Sequence, residues 1–131
     1  MFEIVPSQLQ RDRETIAKLV SEMTGGAESP GKADRRSTGQ RTVAQALELI
    51  PVDEQLRPTA SAFRAITRDL SASGVSFLHV HPLSARHFVA QVVLPKHGAV
   101  QFHVERVHTQ FLDPLYVTAA KFVTEPEKPK G

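Results

Sequence analysis

The chain has 131 residues, 40% of them hydrophobic and 23% charged, which suits one globular domain and leaves too little length for two cores. Its 16 Lys and Arg against 14 Asp and Glu give a net charge of +2, too mild for bulk binding to a nucleic-acid polymer or a membrane surface. With no cysteine, the chain excludes disulfides, thiolate catalysis and zinc–sulfur sites.

At the N-terminus, Met1-Phe2-Glu3 carries no basic-then-apolar leader, so the expected compartment is the cytoplasm. Pro6-Ser7 followed by Gln10 reads as a helix start with a capping-box partner. Leu9, Ile16, Leu19, Val20 and Met23 then recur at helical spacing, with Asp12 and Glu14 near the positive end. A helix is therefore expected within residues 1–24, stopped by Thr24-Gly25-Gly26. Its apolar stripe is expected to pack on the domain's own core, with a partner or a second copy of the chain as the alternative occupant. Residues 25–40 hold four glycines, Pro30 and nothing apolar larger than alanine, the composition of a mobile linker. Its basic charge is local: Lys32, Arg35, Arg36 and Arg41 stand against Asp34 alone across residues 32–41.

From Arg41 strand patterns replace the helical period. Six strands are expected: Thr42 to Pro51, Thr59 to Thr67, Val75 to Val80, Phe88 to Leu94, Ala99 to Phe111 with a bulge near Val107, and Leu115 to Val123. Short connections without intervening helices point to an antiparallel barrel over residues 41–124. No stretch approaches the roughly 20 apolar residues of a bilayer span. Residues 125–131, rich in Lys, Glu and Pro, read as a disordered tail.

Between the second and third strands lies Asp69-Leu70-Ser71-Ala72-Ser73-Gly74. A carboxylate and a hydroxyl two residues apart on extended backbone project to one side, and Gly74 enters a turn at little cost. Arginine on a nearby arm matches the O6/N7 edge of guanine, and a carboxylate complements the N1–H and N2–H donors of the opposite edge. Together they suit a guanine nucleotide with phosphates. The blander reading is a hairpin turn in which Asp and Ser bond backbone amides, with Arg35 and Arg36 as solvated linker charges.

This arrangement resembles the PilZ family, the cyclic di-GMP receptor domain, over roughly residues 35 to 123. That family carries an Arg-x-x-x-Arg pair before its first strand and an Asp/Asn-x-Ser-x-x-Gly motif after its second. Asp69, Ser71 and Gly74 match the second motif without a gap. Arg41 stands where the second arginine belongs; the first would fall at position 37, which is Ser37, and the nearest arginine is Arg36. The resemblance implies a six-stranded barrel and a non-enzymatic sensor that binds cyclic di-GMP through Arg35 or Arg36, Arg41, Asp69, Ser71 and Gly74. The ligand would order the basic arm and signal to a separate protein partner. A degenerate member that works only through protein contacts is the alternative, supported by the displaced arginine.

Other constellations carry less. His79-x-His81, with His103 on a later strand, lacks a third ligand at a recognisable spacing, so no metal is expected. Ser71 has no histidine nearby in sequence to act as a base, and Asp69 stands without a second carboxylate, so no catalytic residue and no cofactor are expected. A nucleic-acid-binding small barrel would present stacking aromatics on a basic face, and aromatics here are only 6%.

Overall fold

The computed structural model describes residues 3–23, 41–42 and 45–124. In chain order it contains a 3-10 turn at Pro6–Gln8, β1 (Leu9–Gln10), α1 (Arg13–Met23), β2 (Arg41–Thr42), β3 (Ala46–Val52), β4 (Phe63–Leu70), β5 (Gly74–His79), β6 (His87–Leu94), β7 (Gly98–Leu112) and β8 (Leu115–Phe122). Strands β3, β4, β5, β8, β7 and β6 pair in that order, each antiparallel to the next, and β6 returns to β3. The result is a closed six-stranded antiparallel barrel. Beside the ring, β1 lies parallel to β7 and β2 pairs antiparallel with β4.

Alternation builds the core. Val75 and Phe77 of β5, and Val100, Phe102 and Val104 of β7, occupy inward positions two residues apart and are buried. They meet Leu47, Leu49, Phe88, Ala90 and Val92 in one apolar cluster. Phe77, Phe88, Leu49 and Leu70 are among its largest fully enclosed side chains.

α1 completes this cluster with Ile16, Leu19 and Val20, so its apolar stripe packs on the protein's own barrel. His97 in the β6–β7 turn contacts Glu22 at 3.0 Å. The helix begins later than the Pro6-Ser7 signal implies. Asp12 accepts from the backbone N–H and hydroxyl of Thr15 through Oδ2, both at 2.9 Å, and thereby satisfies a first-turn donor. Leu9 belongs to β1 instead of the helix. The residues ahead of Asp12 are drawn onto the barrel by the fully buried Gln101. Its side chain accepts from Val5 N–H and donates to the Glu3 carbonyl and to Gln91 Oε1.

Beneath that N-terminal segment lies a second, smaller apolar cluster, formed by Ile50, Val52 and Val89 with Ile4, Leu9 and Leu56 against them. β3 and β6 are therefore covered on both faces. The expected first strand divides into β2 and β3, and the second runs from Phe63 to Leu70, later than Thr59 to Thr67. The expected bulge near Val107 is present, as a register shift between Arg106 and His108. Among the described residues no helix is long and apolar enough to cross a membrane. The linker at 25–40, the helix stop at 24–26 and the tail at 125–131 lie outside the described residues.

Candidate functional site

The Asp-x-Ser-x-x-Gly motif closes the β4–β5 hairpin. Asp69 and Leu70 end β4, residues 71–73 turn, and Gly74 opens β5. Ser71 N–H donates to the Gly74 carbonyl at 2.9 Å, and Ser73 N–H donates to Ser71 Oγ at 3.3 Å. Phe122 N–H donates to the Ser73 carbonyl at 3.0 Å, which ties the turn to the end of β8. The hairpin reading of these residues is thus correct as local structure, and it leaves the hydroxyls of Ser71 and Ser73 at the surface, 3.1 Å apart.

Gly74 is required for a different reason from the one its place in a turn suggests. Its φ is not positive; among the described glycines only Gly98 has that conformation, at 73°. A Cβ on Gly74 would instead collide with the Ala120 carbonyl oxygen and sit 3.1 Å from Lys121 Cα. Glycine here lets β8 approach β5 closely.

A bulge precedes the motif. Thr67 pairs with Phe77 and Asp69 with Ser76, so Arg68 is the extra residue on β4. Bulges re-aim side chains, and this one sets Asp69 opposite Ser76. Ser76 Oγ donates to Asp69 Oδ2 at 3.3 Å, and Arg68 Nε lies 3.9 Å from the same oxygen.

The register lines up one row across the barrel exterior: Thr42, Asp69, Ser76, Ala119 and His108, on β2, β4, β5, β8 and β7. Small side chains at its centre leave a shallow cavity of about 400 Å³ lined by Asp69, Ser71, Ser73, Gly74, Ser76 and Ala119. Lys121 stands across from Gly74, with its ammonium 3.7 Å from Glu105. The floor offers a carboxylate and three serine hydroxyls. Such a surface can accept donor groups from a planar polar ligand and donate to its oxygens.

The sequence-predicted residues divide cleanly. Asp69, Ser71 and Gly74 line one cavity. Arg41 lies beside it in the backbone sense, paired with Leu70. Arg35 and Arg36 lie outside the described residues. Sequence reasoning missed Ser76, Ala119 and His108 as neighbours of the motif, because strand register alone brings them there.

The histidines serve the barrel. His79 is buried, with Nδ1 2.8 Å from the His81 carbonyl and Nε2 2.7 Å from Thr118 Oγ1. The carbonyl can only accept, so Nδ1 carries the proton and Nε2 receives that of Thr118. Thr109 lies 2.8 Å behind Thr118 and completes the chain. Burial lowers the His79 pKa, which favours this neutral form. His103 is also buried, its Nε2 3.0 Å from His87 Nδ1. Burial foremost, then the charges of His87 and Arg11, push its pKa down to about 4. His79 is buried whereas His81 is exposed, and His103 pairs with His87. Among the described residues no group of three or more His, Cys, Asp or Glu is disposed to hold a metal ion.

No protein-family model matches the chain, and neither does any curated protein.

Proposed function

We propose that the face built on Asp69, Ser71 and Gly74 binds cyclic di-GMP and that the protein is a non-enzymatic sensor of this second messenger. The observation that carries the reading is the pairing of β2 with β4. It sets Arg41 opposite Leu70 and Thr42 opposite Asp69, so the basic stretch ends alongside the strand bearing the acidic group. The closed six-stranded barrel and the grouping of the motif around one shallow cavity agree with the PilZ resemblance. In this reading Arg41, with Arg36 or Arg35, grips guanine edges and phosphates, while Asp69 and Ser71 contact the base over the small floor of Ser76 and Ala119. Arginine suits that role through its planar donor fork. Binding draws the basic arm onto the barrel and changes the surface offered to a separate partner protein in the cytoplasm.

The second reading, a protein-contact adaptor without the ligand, is favoured by one observation: Ser37 stands where the family's first arginine belongs. Titration calorimetry separates the two. The sensor should bind cyclic di-GMP in the low-micromolar range or tighter, on the order of −8 kcal/mol, and linear GMP far more weakly. No heat with about 100 µM ligand, well above that range, would move the assignment to the adaptor.

A further inference from the structure

A second cleft, of about 560 Å³, opens where the N-terminal segment meets the turn after β3. Its walls are apolar: Ile4, Leu9 and Leu56, which also pack on the outer cluster of β3 and β6. Two arginines, Arg11 and Arg57, line it together with Glu3. Arg11 Nε is enclosed and has no hydrogen-bond partner. Neither arginine belongs to an ion pair among the described residues. An enclosed guanidinium N–H without an acceptor is costly.

The turn that presents Arg57 is held in an uncommon shape. Asp53 Oδ1 accepts from Gln55 and Arg57 N–H at 2.8 and 2.9 Å, and Leu56 between them has φ 66°. A leucine in the left-handed region is maintained by its surroundings, and here the conformation carries Leu56 into the apolar wall with Arg57 next to it. Charge limits what can enter. Arg11, Arg57 and Glu3 line the cleft and leave it one positive charge in surplus, while Asp53, outside the lining, is held by the backbone N–H groups of Gln55 and Arg57. That balance favours a singly charged headgroup over a phosphate dianion, and the apolar walls favour an alkyl chain behind it.

We propose that this cleft binds an aliphatic carboxylate, with the headgroup on Arg11 and Arg57 and the chain along Ile4, Leu9 and Leu56. The site is independent of the cyclic di-GMP face and lies on a different part of the barrel exterior.

The test uses the full chain with sodium octanoate as probe, followed by methyl NMR. Octanoate should shift the methyl signals of Ile4, Leu9 and Leu56 saturably below about 10 mM, the range of weak small ligands. Octylamine and inorganic phosphate should not. Arg11→Met should weaken octanoate about tenfold, the scale of one charge-assisted hydrogen bond. Arg57→Gln, on an exposed side chain, should weaken it in the same direction and guards against loss of fold in the first variant. Glu3→Gln should tighten it. Absent shifts at those methyls, equal shifts from octylamine, or undiminished binding in Arg57→Gln would overturn the proposal.

Discussion

Thr42 stands directly across from Asp69 in the antiparallel pairing of β2 with β4. Two residues of β2 thus fasten the end of the basic stretch to the strand that carries the site's carboxylate. This link sets the last arginine of the basic run beside the strand that carries the motif. It also makes the contribution of each residue separable.

Arg41→Ala and Asp69→Asn should each weaken cyclic di-GMP binding by roughly 1–3 kcal/mol, the scale of charge-assisted hydrogen bonds. Ser71→Ala should cost affinity with little change in melting temperature, since the Ser71 backbone N–H keeps its bond to Gly74. Arg36→Ala should cost more than Arg35→Ala, because position 36 lies nearer the place where the first arginine is expected. Calorimetry on the variant set checks this ranking. Unchanged affinity in Arg41→Ala together with a lowered melting point in Ser71→Ala would reduce the motif to a structural hairpin.

Gly74 and Gly98 should respond differently to alanine. At Gly74 the new Cβ meets the fixed backbone of Ala120 and Lys121, so Gly74→Ala should destabilise by about 1–3 kcal/mol, as overpacking does. At Gly98 the space is open and the cost comes from φ 73° alone, on the order of 1 kcal/mol. Denaturant melts of the two variants compare them. Equal stability of Gly74→Ala and wild type would mean that β5 and β8 part easily at this point.

His103 should make stability depend on pH. Its folded pKa of about 4 lies below the ordinary 6.5, so the unfolded chain takes up the proton first as pH falls. The stabilisation is complete above pH 6.5, declines between 6.5 and 4, and is flat below. Its size is on the order of 1–3 kcal/mol. His79 is shifted in the same direction, so His103→Gln should remove part of the decline and leave part. A wild-type stability curve without slope across this interval would contradict a neutral, enclosed His103.

Much of the barrel was legible because inward positions recur every second residue. Val100, Phe102 and Val104 announce β7, and Val75 and Phe77 announce β5. β3 was harder, since Ile50 and Val52 are buried on its outer side under the N-terminal segment and blur the alternation. The helix start was misplaced because Pro6-Ser7 has the chemistry of a cap, whereas Gln101, far away in sequence, holds residues 3–5 against the barrel. At the site, Asp69, Ser71 and Gly74 were visible as a local pattern. Ser76, Ala119 and His108 were not, because cross-strand register is a property of the closed ring. The reason for Gly74 was hidden in the same way: it lies in the approach of β8, not in the turn.

The proposed sensor mechanism makes a claim about order that amide exchange can read. Arg41 and Thr42 are already paired with β4 without ligand, so cyclic di-GMP should slow their exchange only slightly. The larger change should fall on residues 35 to 40. Arg36 lies five residues before Arg41, a reach of at most about 17 Å on extended chain, enough to extend across the Asp69 row. If both arginines hold the ligand, the residues between them follow because the chain is continuous. A smaller slowing is expected across Asp69 to Gly74, whose turn is internally bonded beforehand, and none at Gly25-Gly26. Hydrogen exchange at saturating and zero cyclic di-GMP distinguishes two forms of the site. Slowing confined to Asp69 to Gly74 would leave binding to the barrel face alone and remove the basic arm from the mechanism.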